Sequence, residues 1–404
     1  MRTVVQGTVV TAEIVPDFLP CPLLLWPRRH IEMFRMNIKG FLSSKPRMLC
    51  IVSSLLFLGA VGAAEFSDAQ EAQNRARQDA APKNATKDQN PKNGEVLLLP
   101  VQGNISMLAG AGGNITVQAG DNGILLVDTG LATMSDKVLE ALRPLSKEPL
   151  SYIINTDDRI DHTGGNENIG KTGRPLAFAG AGTRGLIAPD LDEQSQGRFR
   201  APNAFIIGFS TLLDRMSAPA GQVAPMPEGA WPNDTYSEPQ KNIYFNGEGI
   251  EILHQTANTD GNSMVFFRRS DVISTGDILD PTEYPIIDLK SGGSIQGVIQ
   301  GLNRLKLMVI PAEHIEGGTV LIPGHGRLCD AADLAEYQQM VTIIRDRIQN
   351  MIKSGMTLEQ VKAAKPTRDY DPIYGSNTGT WTTDMFVEAV YKSLSSNQDS
   401  RASK

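Results

Sequence analysis

The chain has 404 residues, of which 41% are hydrophobic and 21% charged, a balance typical of globular proteins rather than disordered or fibrous ones. Its net charge of −7 excludes a strongly basic nucleic-acid-binding protein. With only three cysteines, Cys21, Cys50 and Cys329, it cannot build a disulfide framework or a cysteine-rich zinc module. With only five histidines, any metal site must also use carboxylates.

An apolar segment near the N-terminus predicts export. Residues 48–61 form the only long apolar run, which is too short to span a bilayer comfortably. Basic residues precede this run and small residues follow it, a pattern typical of a secretory signal peptide. We therefore expect residues 1–64 to be an N-terminal extension and signal peptide, and the protein to be periplasmic or secreted. A translation start at Met36 would give the signal peptide an ordinary length.

The next stretch, residues 65–95, is rich in Gln, Asn, Lys and Asp and nearly lacks aliphatic and aromatic residues. Such a segment buries too little apolar surface to offset the entropy lost on ordering, so we expect a disordered linker. The remaining chain is expected to form a globular domain at 96–330, helices packed on it at 331–395, and a short disordered tail at 396–404.

Within the globular part, strand-like runs flank short polar turns and predict three hairpins, at 115–127, 243–253 and 264–274. A helix is predicted at 136–142. Further strands are expected at 152–154, 176–179 and 320–322. Strands that alternate with helices in this way indicate a layered α/β protein with antiparallel elements.

The last part of the chain is predicted to be helical. Apolar residues from Leu334 to Ile352 recur at steps of three and four, which gives one apolar helix face. Thr357 and Gln360 form the capping box of a further helix.

A glycine-rich motif, GAGTRG at 180–185, matches the pattern of dinucleotide-binding loops. Its context is unfavourable because Phe205 stands where such a site needs an acidic residue. We interpret the motif as a strand-to-helix turn.

The segment most informative about chemistry is NTDDRIDHTGGN, residues 155–166, which directly follows a predicted strand. An Asp-His pair before Thr-Gly-Gly-Asn at a strand end resembles the metallo-β-lactamase superfamily. Further motifs resemble that family's and occur in its order, at 127–130, 259–263, 275–277 and 323–326. The resemblance covers about residues 101–329. It implies an αββα sandwich, here with a C-terminal helical segment, and a site on the loops along one edge of two sheets.

The sequence departs from the family motif, His-x-His-x-Asp-His, at its first metal site. The two leading histidines are replaced by Asp157 and Arg159, and the third histidine of that site falls at Asn258. The resemblance implies that a second site is retained. Its expected metal ligands are Asp161, His162 and His325, together with Asp277 as the bridging-type carboxylate. We therefore expect at most one tightly bound ion, zinc by its ligand set, with iron or manganese possible.

Arg159 is the least ordinary residue of the motif. Its guanidinium stays protonated and would repel a second cation. We expect it to occupy the vacated first metal position, paired with Asp157 or Asp158, and to bind an anionic substrate group. Asp157, Arg159 and Asp161 are the candidate catalytic residues. The alternative is that residues 157–159 form only a solvated charged loop.

Three other residues are weaker candidates. His254 shares a strand face with Asn258 but lacks a ligand motif. His314 is expected at the surface, and Cys329 as a small buried residue rather than a nucleophile.

Two functions remain open at this point. The first is an exported metal-dependent hydrolase that acts on a small-molecule ester, lactam, thioester or phosphoester. The second is a non-catalytic ligand-binding protein on the same fold. Neither requires a nucleic-acid partner, nor a membrane once the signal peptide is removed, and the oligomeric state is not predicted.

Overall fold

The computed structural model describes residues 94–174, 203–218, 226–314 and 317–402. The predicted signal peptide, almost all of the linker, the strand predicted at 176–179 and the glycine motif at 180–185 lie outside these ranges. Among the described helices, none is both long enough and apolar enough to cross a membrane.

The first half of the domain forms a seven-stranded sheet whose strands neighbour one another in chain order. The strands are β1 (Leu97–Gln102), β2 (Ile105–Ala109), β3 (Ile115–Gly120), β4 (Gly123–Val127), β5 (Leu150–Ile154), β6 (Phe205–Phe209) and β7 (Asp234–Tyr236). The pairings from β1 to β4 are antiparallel, and those from β4 to β7 are parallel.

The second sheet has five strands in the order β12-β11-β10-β9-β8. These are β8 (Gln240–Phe245), β9 (Glu248–His254), β10 (Ser263–Phe267), β11 (Val272–Gly276) and β12 (Val320–Pro323). Consecutive hairpins make β8 to β11 antiparallel, whereas β12 returns after a helix and pairs parallel to β11.

Nine α-helices accompany the sheets in the described part of the chain. They are α1 (Ser135–Leu142), α2 (Ile160–Thr163), α3 (Asn166–Gly170), α4 (Ser210–Met216), α5 (Ile295–Met308), α6 (Ala331–Lys353), α7 (Leu358–Ala364), α8 (Asp371–Tyr374) and α9 (Thr383–Ala402).

Three apolar clusters stack these elements into four layers. Alternation along β4 sends Leu125 and Val127 into a core between the two sheets, and Ile124 and Leu126 toward α1 and α3. The third cluster lies between the outer face of the five-stranded sheet and helices α5, α6, α7 and α9. The arrangement is the predicted αββα sandwich.

The three predicted hairpins, the helix at 136–142 and the capping box of α7 are all confirmed. The C-terminal helix extends further than expected. The sequence predicts a helical segment that ends at residue 395, whereas α9 continues to Ala402.

Candidate metal centre

The candidate metal centre lies where strands of both sheets end at a shared edge. The charged segment 155–163 follows β5, Asp277 follows β11, and the loop after β12 carries His325. A backbone hydrogen bond from Gly324 N to Gly276 O (2.9 Å) holds two of these strand ends together. The sheet edge therefore collects side chains that lie far apart in the sequence.

The structure brings the four predicted metal ligands together. Donor atoms of Asp161, His162 and His325 lie within 4.8 Å of one another. Asp277 joins them, with Oδ1 3.2 Å from His162 Nε2 and 3.6 Å from His325 Nε2. Asp280, which no sequence motif marked, forms a further group of donors with Asp277 and His325. Its only signal was its position three residues after Asp277.

The ring of His162 is held in one orientation by Asp128. Asp128 Oδ2 accepts from His162 Nδ1 at 2.7 Å, and the same carboxylate accepts from the backbone N (2.8 Å) and Oγ1 (2.6 Å) of Thr156. Asp128 has a left-handed backbone (φ 64°), a costly conformation that clusters at functional sites. With Nδ1 directed at Asp128, Nε2 is the nitrogen that faces the cluster, the orientation found in metal-binding histidines.

Asp277 is buried against the same cluster and only 3% exposed. Neither of its carboxylate oxygens, nor His162 Nε2, has a hydrogen-bond partner of normal geometry among the described residues. A Cβ at position 324 would overlap Asp277 Oδ1, so only glycine permits this approach. Buried acceptors without donors are costly unless a cation lies near them.

That cation is the guanidinium of Arg159, although its partners differ from those expected. Arg159 Nη2 lies 3.0 Å from Asp161 Oδ2, 2.5 Å from Asp277 Oδ2 and 3.3 Å from His325 Nε2. Its contact with Asp157 is longer, 4.0 Å from Nε to Oδ2. The guanidinium therefore lies among the ligands of the retained site and not beside Asp157 or Asp158, as expected.

Asp158, the other expected partner of Arg159, pairs with Arg215 instead. Arg215 on α4 donates through Nε and Nη2 to Asp158 (2.9 and 2.8 Å) and through Nη1 to Asp260 Oδ1 (2.5 Å). This bidentate geometry is one that guanidinium groups favour. Arg215 thus joins two loops that frame the site, and no motif in the sequence marked it for this position.

The buried carboxylates of the cluster differ in the direction in which their pKa values shift. Burial raises the pKa of Asp157 to about 6, although the charges of His162 and Arg159 oppose the shift. Burial acts in the same direction on Asp277, but there His162 and Arg159 outweigh it and hold the pKa below its usual range. Burial lowers the pKa of His162, yet the carboxylates of Asp157 and Asp277 outweigh it and raise that pKa well above normal. Asp277 therefore stays ionised at neutral pH.

The weaker candidates lie outside the donor cluster. His254 Nε2 donates to Asp260 O (2.7 Å) and its ring stacks on Phe209, so it is not placed as a ligand. Asn258 is buried and donates through Nδ2 to Ile286 O (2.8 Å).

The expectations for His314 and Cys329 hold as well. His314 is exposed in a turn. Cys329 is buried, and this burial raises its thiol pKa to about 12, which rules out an activated nucleophile.

The residues present fit a divalent ion. The cluster offers two imidazoles and several carboxylates, a donor set that zinc and harder ions accept. The carboxylates of Asp128, Asp157 and Asp277 are buried beside it and supply negative charge that would balance a divalent ion, which would take the place of the proton on His162 Nε2. The atoms without a hydrogen bond of normal geometry among the described residues, His162 Nε2 and the Asp277 carboxylate oxygens, are ligand atoms of the predicted site.

Comparison with known proteins agrees with this architecture. Residues 109–325, more than half of the chain, match the family model of the metallo-beta-lactamase superfamily. The stereoselective inverting sec-alkylsulfatase Pisa1 from Pseudomonas sp. is similar in structure, with a TM-score of 0.50 and 16% identity over 74% of this chain. The match covers 50% of that sulfatase, so this chain spans about half its length.

A second solved structure, a metallo-beta-lactamase from Pontibacter korlensis, gives a TM-score of 0.42 and 13% identity over 61% of this chain and 99% of that enzyme. No curated protein sequence gives a significant match. The family match, which covers both ends of the donor cluster, identifies the chain as a member of the metallo-beta-lactamase superfamily.

Proposed function

We propose that this chain is an exported hydrolase that depends on one divalent metal ion and acts on a small-molecule ester, lactam, thioester or phosphoester. The observation that carries the proposal is the convergence of Asp161, His162, His325 and Asp277 on one point, with His162 oriented by Asp128. The bound ion would supply Lewis-acid activation of water at neutral pH.

The residues of the site would have separate roles in this reaction. Asp161, His162, His325 and Asp277 would hold the ion. Arg159, whose side chain is one-quarter exposed, is placed to bind an anionic group of the substrate or the developing oxyanion. Asp157 accepts from the backbone N of Arg159 (3.0 Å), so its carboxylate positions the arginine.

Metal analysis combined with turnover tests this proposal. Purified protein should contain one zinc, iron or manganese ion per chain and hydrolyse at least one substrate in a panel of lactams, lactones, thioesters and phosphodiesters. His325→Ala should lose both ion and activity, because the site has no spare imidazole. His314→Ala is the matched control and should retain both, since His314 is exposed in a turn.

A second candidate function, a non-catalytic ligand-binding protein, draws support from Arg159, whose Nη2 contacts three of the proposed ligands. Protein that carries no ion after incubation with zinc, iron or manganese, and turns over nothing in the panel, would favour it. Two ions per chain would contradict the single-ion proposal.

Export is part of the proposal and has its own test. Mass spectrometry of protein purified from its source should find a mature N-terminus near Glu65. A cytosolic chain that retains Met48 would contradict export.

A further inference from the structure

We infer that Arg159 is an internal counter-ion of the metal centre: its guanidinium neutralises Asp161 and Asp277 in the metal-free protein and moves aside when an ion binds. This role rests on the metal-dependent function proposed above. It makes metal binding and arginine contact mutually exclusive at the same two carboxylates.

Competition follows from the distances. Arg159 Nη2 lies 3.0 Å from Asp161 Oδ2 and 2.5 Å from Asp277 Oδ2. A zinc ion bonds carboxylate oxygens at about 2.0–2.2 Å. An ion bonded to Asp161 Oδ2 and His325 Nε2, which Arg159 Nη2 contacts at 3.0 and 3.3 Å, would need the space that the arginine nitrogen occupies, and two positive charges in contact would repel strongly. Binding must therefore displace the guanidinium.

The backbone of Arg159 is fixed, and its side chain has a second position available. Its backbone is held because Asp157 Oδ1 accepts from Arg159 N (3.0 Å), and Arg159 O accepts from the N of His162 (3.0 Å) and of Thr163 (2.9 Å). Its side chain is one-quarter exposed, so solvent adjoins it. Asp157 Oδ2 already lies 4.0 Å from Nε and can receive the released guanidinium. Rotation about side-chain bonds is enough to exchange the two positions.

Arg159→Gln provides the direct test, with zinc affinity measured by competition against a chromophoric chelator. Removal of the competing charge should tighten zinc binding at least about tenfold. The same variant should melt at a lower temperature than the native chain without metal, because Asp161 and Asp277 lose their counter-ion. Added zinc should raise its melting temperature more than it raises that of the native chain.

Two further variants separate competition from a general charge effect. Arg268→Gln removes the same charge from the residue directly after β10, where Arg268 pairs with Glu251. This change should leave zinc affinity unchanged. Arg159→Lys keeps a positive charge near the cluster and should tighten binding less than glutamine does.

A structure of the zinc-loaded native chain is the second readout. Arg159 Nη2 should lie beyond hydrogen-bond distance from Asp277 and closer to Asp157. Zinc bound by these residues with the guanidinium still in contact with Asp161 and Asp277 would overturn the inference. So would an Arg159→Gln affinity equal to or weaker than that of the native chain.

If Arg159→Gln does not fold without metal, refolding with zinc decides the question. Rescue by zinc supports a counter-ion role, and failure of zinc to rescue contradicts it. These outcomes are independent of the hydrolase proposal. If Arg159→Gln binds zinc more tightly and the native chain turns over no substrate, the counter-ion role stands and the hydrolase proposal fails. If the native chain hydrolyses a substrate and Arg159→Gln leaves zinc affinity unchanged, only the counter-ion role is refuted.

Discussion

Asp128 shows how one residue outside the donor cluster sets the geometry inside it. Its carboxylate accepts from His162 Nδ1 and twice from Thr156, so it fixes the imidazole relative to the end of β5. Partners of this kind raise the basicity of a metal-binding histidine and lock its ring orientation.

Asp128→Asn should therefore weaken zinc binding about 10- to 100-fold, because an amide is a poorer acceptor and offers only one oxygen. Chelator competition measures the change. Asp136→Asn is the matched control, since Asp136 is exposed on α1 and should have no effect. Equal zinc affinity in both variants would mean that Asp128 is only a structural partner of Thr156.

Cys329, in contrast to the residues of the metal centre, lies in an environment that makes its side chain unreactive. Burial raises its pKa from 9.0 to about 12. The folded state thus favours the neutral thiol, whose contribution to stability is complete below pH 9 and is lost as the pH rises toward 12. In a Cys21→Ser, Cys50→Ser background, a thiol reagent should react with Cys329 only as the chain unfolds.

The alkaline loss of stability is the second readout. Between pH 9 and 11, the free energy of unfolding should fall more steeply when Cys329 is present than in Cys329→Ser. Rapid labelling of the folded chain at pH 8 would contradict this account.

The order of the motifs predicted which side chains meet at the site, but it did not predict every pairing. Asp161, His162, Asp277 and His325 were predicted because their motifs resemble those of the metallo-β-lactamase superfamily and occur in its order. The partners of Arg159 could not be found that way, since a long side chain selects among carboxylates by their positions in space. Arg215 was missed for the same reason: α4 brings it to Asp158 only in the folded chain.

Among the elements, α7 is the one whose start the sequence marked most clearly. Thr357 Oγ1 accepts from Gln360 N, and Gln360 Oε1 accepts from Thr357 N, which satisfies two otherwise free donors. Thr357→Ala should lower the free energy of unfolding by about 1 kcal/mol in denaturant titration. Thr357→Ser keeps the acceptor and should restore most of that loss. If alanine and serine behave alike, the cap contributes nothing measurable.

Other elements escaped detection for physical reasons. Helix α5 contains Gly297 and Gly301, which weaken a helical pattern. The structure needs Gly297 because a Cβ there would lie 2.8 Å from Thr256 O. Strands β6 and β7 are short, and β6 follows a stretch without a clear pattern. Hairpins with Gly-containing turns were predictable because their signals are local.

The C-terminal helices lie beyond the family match, which ends at residue 325, yet they contact a loop of the metal centre. Tyr337 on α6 donates through its hydroxyl to Glu283 O (3.2 Å), and Trp381 Nε1 donates to Tyr284 O (3.2 Å). This loop begins at Asp277 and carries Asp280. The helical segment therefore adds rigidity to a loop that the strands anchor at only one end.

Trp381→Phe tests this coupling. Loss of one hydrogen bond to a backbone carbonyl should lower the free energy of unfolding by about 1 kcal/mol. Because Trp381 contacts the loop and none of the ligands, zinc affinity should fall only severalfold, and Tyr337→Phe should act in the same direction. Tyr244→Phe, at an aromatic residue 75% exposed on β8, is the control and should change neither quantity. A Trp381→Phe chain that is less stable but binds zinc as tightly as the native chain would show that the helices stabilise the fold without positioning the metal centre.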